Sequence, residues 1–159
     1  MMSFKHAAIA FTFLSLPGLP AFADAAPQPV LTLTAAQEVL QAALAKADGE
    51  AWPGVVAVTD AGGALVAFAR MDDAAVPAGV TLAPGKARTA ALFARPTADL
   101  EAAINGPRPA VVTAGDFVMM KGGLPQRVDG RIVGAIGVSA DTPDHDQAIA
   151  EAGVAALTR

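Results

Sequence analysis

The sequence predicts a single α+β domain in which an antiparallel β-sheet is flanked by α-helices, and three observations predict it. Asp129-Gly130 lies between two β-rich runs, Leu124 to Val128 and Arg131 to Ser139. That residue pair suits a type I′ hairpin turn, whose two central residues both need positive φ. A second pair of runs, Val55 to Thr59 and Ala64 to Arg70, is separated by a turn containing Asp60, Gly62 and Gly63. Helical periodicity before, between and after the hairpins favours an antiparallel sheet layered with helices over a doubly wound parallel one.

The amino terminus reads as an export signal. Met1 to His6 carries Lys5 and no acid, Ala7 to Leu16 is almost wholly apolar, and Ala21-Phe22-Ala23 has the small-residue spacing that a signal peptidase reads. The apolar run is shorter than the ~20 residues of a spanning helix, and Pro17, Gly18 and Pro20 interrupt it. Residues 1–23 are therefore expected to be a removed signal peptide, the product periplasmic or secreted, without stable membrane insertion. Asp24 to Val30, with Pro27 and Pro29, reads as a flexible leader, and residues 31–159 as the domain.

Thr34 and Gln37 have capping-box spacing, and Val39, Leu40, Ala43, Leu44 and Ala47 follow at helical intervals until Asp48-Gly49. Met71 to Ala83 reads as a loop. Pro84 to Ala94 reads as a helix with proline in its first turn, and Pro96-Thr97 restarts a second helix that Asn105-Gly106-Pro107 stops. Val111 to Met120 has no decisive period. Asp144 with Gln147 is expected to cap a last helix reaching about Leu157. On Arg131 to Ser139 both alternate sets are small or apolar, Ile132, Gly134, Ile136 and Val138 against Val133, Ala135, Gly137 and Ser139, so helices are expected on both faces of the sheet.

Composition narrows the function. The chain of 159 residues is 53% hydrophobic with a net charge of −4 and 5% aromatic residues, so a basic, aromatic nucleic-acid surface is not expected. Alanine supplies 39 residues, which makes a thin core and favours a homo-oligomer. With no Cys there are no disulfides, thiol nucleophiles or Cys-type zinc sites. Gly79 to Lys86 has the wrong glycine spacing for a phosphate loop, and Ala87 stands where Ser or Thr would reach magnesium. Ser139 is the one serine after the signal segment, and with one histidine it makes a poor hydrolytic triad.

Seven blocks run in one order: Val56-Ala57-Val58-Thr59-Asp60, Gly63-Ala64-Leu65-Val66, Phe68-Ala69-Arg70-Met71-Asp72, Lys86-Ala87-Arg88-Thr89-Ala90, Pro96-Thr97, Gly122-Gly123-Leu124-Pro125 and Gly134-Ala135-Ile136-Gly137-Val138-Ser139. Together they resemble the haem-binding family that includes the extracellular haem-binding sensor proteins and the product of the glycolate-operon gene G. The carboxy-terminal domain of PduO-type cobalamin adenosyltransferases is similar too. The likeness spans about Leu33 to Ala156 and departs from the common pattern at Asp73 and Ala140, where glycine is usual. It implies a profilin-like fold, oligomers, and binding of haem or a related tetrapyrrole as cofactor or cargo, in some members with haem degradation. Haem storage, delivery or sensing is the expected role, with oxidative haem degradation by an external reductant, or handling of a corrinoid, as the alternative.

A haem site needs an apolar slot, cations for two propionates and, ideally, an axial donor. Lys86, Thr89, Ala90 and Phe93 fall at i, i+3, i+4 and i+7, lining up a cation, a hydroxyl and an aromatic ring. Against that, Lys86 can run to solvent, Thr89 can bond back to its own helix, and Phe93 can be core. Arg70 shares strand parity with Val66 and Phe68, so it is expected on the core side, paired with Asp72, Asp116 or an anionic ligand. Met71 is a candidate sulfur donor, whereas Met119 and Met120 read as core filler. His145, among Asp141, Asp144 and Asp146, is a candidate metal ligand or simply part of a solvated helix start.

Overall fold

In the computed structural model, which describes residues 29–157, the elements run α1 (Leu33–Gly49), β1 (Val55–Asp60), β2 (Leu65–Arg70), α2 (Gly79–Phe93), α3 (Thr97–Ile104), a 3-10 turn (Pro109–Thr113), β3 (Gly123–Val128), β4 (Arg131–Ser139) and α4 (Pro143–Leu157). The expected signal peptide and most of the leader lie outside the described residues. The four strands form one antiparallel sheet in the order β2-β1-β4-β3. Helices α1 and α4 cover one face and α2 the other, so both faces of the central strands are buried as expected.

The β3–β4 connection carries Asp129 at φ 50° and Gly130 at φ 76°, the left-handed pair that the sequence predicts. Val56 and Val58 of β1 join Ile136 and Val138 of β4 under Val39 and Leu40 of α1 and Ile149 of α4. Val55 and Ala57 face the other way, against Ala83 of α2. On that side the helix approaches the sheet at backbone distance. A Cβ at Gly137 would lie 2.1 Å from the Ala83 carbonyl oxygen and 2.4 Å from the Ala87 nitrogen.

Several boundaries differ from those expected, each for a local reason. Thr32, not Thr34, caps α1, its Oγ1 accepting from the Ala35 N–H at 3.2 Å. Thr142, not Asp144, caps α4, its Oγ1 accepting from His145 N–H at 3.2 Å, and Pro143 takes the first helical position. Helix α2 begins at Gly79 and contains Pro84 inside it. Gly79 lets that first turn press on β1 and β4, since a Cβ there would meet Val55 at 2.9 Å and the Ser139 hydroxyl at 3.3 Å. Val133 is an extra residue between the Gln126–Gly134 and Arg127–Ile132 pairs. This bulge breaks the expected alternation and puts Val133 in the same core as Ile136 and Val138.

Arg70 is the main correction to the strand reading. The β1–β2 register steps from Val58–Ala67 to Thr59–Leu65, so Val66 is the unpaired extra residue and the parity linking it to Arg70 is lost. Arg70 pairs opposite Val55 on an edge strand and is exposed.

Cap assignments translate into stability. Thr142→Ala should cost about 0.5–2 kcal/mol of unfolding free energy, whereas Thr34→Ala, an exposed site with no capping bond, should stay within about 0.5 kcal/mol. Urea unfolding of the two variants checks this.

Candidate functional site

Because α2 lies flat on the sheet, the stripe at Lys86, Thr89 and Ala90 turns inward and is fully buried. Thr89 Oγ1 donates to the Gly85 carbonyl at 2.7 Å and accepts from the Val118 N–H at 2.9 Å. Its hydroxyl proton therefore holds the helix, and its oxygen anchors the segment before β3. Lys86, 1% exposed, donates from Nζ to Asp146 Oδ2 at 2.5 Å and to the Val138 carbonyl at 2.9 Å. Asp146 Oδ1 in turn accepts from the Ala140 N–H at 2.6 Å. The pair ties α2 to α4 around the end of β4. Lys86 and Thr89 thus anchor α2 to its surroundings at the place where the spacing suggested a porphyrin edge, and neither lines the cleft at the end of the helix.

Phe93, at the end of the same stripe, does reach a slot. It is half-buried and stands edge-on to Phe117, ring centroids 5.0 Å apart at 90°. With Leu100 and Ala103 of α3 and Val111 of the 3-10 turn it lines an open cleft of about 520 Å³. Arg95 and Arg108, at the two ends of α3, complete its lining, and neither makes an ion pair among the described residues. The cleft volume falls within the ~300–1,000 Å³ usual for cofactor sites. An apolar wall between two guanidinium groups suits a flat dicarboxylic acid, since each guanidinium can grip a carboxylate in bidentate fashion. Its lining contains no His, Met or Tyr, and Thr113 there donates its hydroxyl to the Ala110 carbonyl at 2.8 Å.

The remaining candidates do not join this cleft. Met71 lines a separate hollow of about 520 Å³ with Asp48, Asp72 and Asp73, whose carboxylates repel propionates. Arg70 lines neither. The His145 ring stacks on Trp52 at 3.7 Å and 7°, and its Nδ1 lies 2.8 Å from Asp141 Oδ1. Asp144 pairs with Lys121 at 2.5 Å and Asp146 with Lys86, so the three acids around His145 have three different partners. No cluster of three or more His, Cys, Asp or Glu able to hold a metal occurs among the described residues.

The hydrogen bond from His145 holds the Asp141 carboxyl below the ordinary aspartate range, and that from Lys121 does the same for Asp144. The Lys121 ammonium is raised, first by its bond to Asp144. A carboxyl with a lowered folded-state pKa adds stability above its unfolded pKa and loses it as pH falls through the folded value. The start of α4 should thus weaken below the normal carboxylate range. In acid titrations followed by thermal melting, the Asp141→Asn, Asp144→Asn variant should lose less stability between neutral and acid pH than the parent.

Sequence spacing missed Arg95 and Arg108. Each is followed by proline, at Arg95-Pro96 and Arg108-Pro109, and they flank a short helix. That symmetry about α3 is the one signal that could have found them.

Comparison with known proteins gives a consistent picture. The family model described as haem degrading protein HbpS-like matches residues 31–155. Protein GlcG of Escherichia coli strain K12 is 42% identical over 110 residues, 69% of this chain and 81% of that protein. Among solved structures, a double mutant of HbpS from Streptomyces reticuli has a TM-score of 0.78 at 29% identity, covering 91% of this chain and 98% of its own. The haem complex of PduOC has a TM-score of 0.74 at 28% identity, covering 80% of this chain and 95% of its own.

Proposed function

Because this chain belongs to the HbpS-like family, we propose that it binds haem, with the cleft between Arg95 and Arg108 as the site. The observation that carries the reading is the pairing of an apolar wall, Phe93, Leu100 and Val111, with two guanidinium groups that lack carboxylate partners among the described residues. Phe93, Leu100 and Val111 would hold the macrocycle and Arg95 and Arg108 its propionates; when bound, haem would supply a redox-active iron. The haem complex of PduOC, a protein of the same fold, supports the choice of ligand.

Export is part of the same proposal. It rests on Lys5, the apolar Ala7 to Leu16 and the Ala21-Phe22-Ala23 site, and the amino terminus of the natural product should be Asp24. No helix among the described residues is long and apolar enough to cross a membrane. Self-association is proposed as well, since edge strand β2 exposes Leu65 and Phe68 and α2 exposes Leu92.

Titration with hemin tests the binding reading. The protein should show a saturable Soret change, and Arg95→Ala, Arg108→Ala should weaken affinity by about tenfold or more, given the ~1.5–3 kcal/mol of hydrogen bonds to charged groups. No saturation, or unchanged affinity in the variant, overturns the assignment. The description of the family model as haem degrading favours one further arm. Bleaching of the Soret band with ascorbate in air, together with iron release, would show turnover as well as binding.

A further inference from the structure

We propose that Asn105 is a site of spontaneous modification, where the side-chain amide closes on the Gly106 nitrogen and is hydrolysed to aspartate and isoaspartate, placing a new carboxylate on the turn that carries Arg108. The covalent step does not depend on the haem reading; its meaning for ligand binding in the cleft rests on that reading.

Asn105 is the single asparagine of the chain, and glycine follows it. It caps the carboxyl end of α3 and is exposed, as are Gly106, Pro107 and Arg108. Its side chain makes no hydrogen bond among the described residues. Glycine has no Cβ to crowd the approach of the side-chain carbonyl carbon to its nitrogen. The Gly106 N–H is also loosely held: it donates to the Ala103 carbonyl at 3.3 Å, beyond the usual ~2.7–3.2 Å. Closure requires Asn105 to turn away from its ψ of 0°. That rotation moves the exposed turn after it and leaves the helix before it intact, including the bond from Asn105 N–H to the Glu101 carbonyl at 3.0 Å. Helix ends fray before helix interiors, which makes the last residue of α3 the place where such a rotation is easiest.

Water is the only co-reactant. A base in solution takes the Gly106 amide proton, the nitrogen attacks the side-chain carbonyl carbon of Asn105, and the side-chain nitrogen leaves as ammonia. Water then adds to either carbonyl of the cyclic imide, and one carbon–nitrogen bond of the ring breaks. Opening on one side gives aspartate; opening on the other gives isoaspartate, whose main chain runs through the former side chain. One amide and one water become one carboxylate and one ammonium, and nothing is oxidised.

Both products put a negative charge at the carboxyl end of α3, where the helix dipole is itself negative. Arg108 folds back on that end, its N–H donating to the Ala103 carbonyl at 2.9 Å, and its guanidinium makes no ion pair among the described residues. The new carboxylate therefore arises on the same turn as an uncompensated cation of the cleft. Isoaspartate also adds one carbon to the main chain between α3 and Arg108.

Incubation of the protein at mildly alkaline pH, followed by peptide mass spectrometry, tests the site. The peptide holding Asn105 should gain the mass of an amide turned to an acid and separate into two products of equal mass, isoaspartate the larger, while Asn105→Gln stays unmodified. In Asn105→Asp, Arg108 should react with phenylglyoxal severalfold more slowly than in the parent, with Arg88 unchanged, because a nearby carboxylate disfavours the neutral guanidine that the reagent attacks through. An Asn105 peptide of constant mass overturns the site, a single aspartate product overturns the imide route, and equal Arg108 reactivity overturns the effect on the cleft. Failure of hemin to bind would remove the haem reading and leave these readouts as they stand.

Discussion

Replacing Asp146 with alanine should lower the free energy of unfolding by about 3–5 kcal/mol, the usual cost of stranding one charge of a buried pair. The Lys86 ammonium would keep its bond to the Val138 carbonyl but lose its counter-charge, and the Ala140 N–H would lose its acceptor. Gly122 packs closely on the pair, a Cβ there falling 2.6 Å from that of Asp146. Removing both charges is a different matter. Lys86→Met with Asp146→Leu should recover most of the loss, because desolvating two ions offsets much of their attraction. Urea unfolding of the single and double variants measures the difference, and a single-variant cost below about 1 kcal/mol would mean the lysine finds water.

Gly137→Ala should be nearly as damaging, at about 3 kcal/mol or more, the upper end of overpacking costs. Its new Cβ would meet the Ala83 carbonyl oxygen and the Ala87 nitrogen, both backbone atoms of α2 that cannot rotate away. The helix would have to lift from β4, opening the contact of Ala90 and Ala91 with Ala135. Gly49→Ala is the control, since nothing lies within 4 Å of a Cβ there. It should change stability by no more than about 0.5 kcal/mol, the usual range for surface substitutions. Equal melting temperatures for the two variants would refute the close approach of α2 to the sheet.

What the sequence made legible is what local backbone chemistry decides. The Asp129-Gly130 turn follows from φ preferences alone, and α3 is bounded by Pro96 and Asn105-Gly106-Pro107 as written. The start of α2 was not legible, because Pro84 counts against helix in isolation. The packing of Gly79 on Val55 and Ser139 that favours the extra turn is a long-range contact. The bulges at Val66 and Val133 were hidden for the same reason, since an extra residue in one strand shows only in the register of its neighbour.

The candidate site divides the same way. Spacing put Lys86, Thr89 and Phe93 on one stripe correctly, yet only the position of α2 over the sheet shows that the first two are inside and the third is at a cleft. The partner of Lys86 is 60 residues away in sequence, and Arg95 and Arg108 meet only because α3 and the 3-10 turn fold back together. Resemblance to relatives indicated the ligand class; geometry alone could say which cations remain free to meet it.

Hydrogen exchange of the protein with and without hemin tests the site most directly. Protection is predicted to gather on residues 93–114, the end of α2, α3 and the 3-10 turn, and to vanish in the Arg95→Ala, Arg108→Ala variant. Protection centred on Met71 and the Asp72-Asp73 hollow, with residues 93–114 unchanged, would contradict the account.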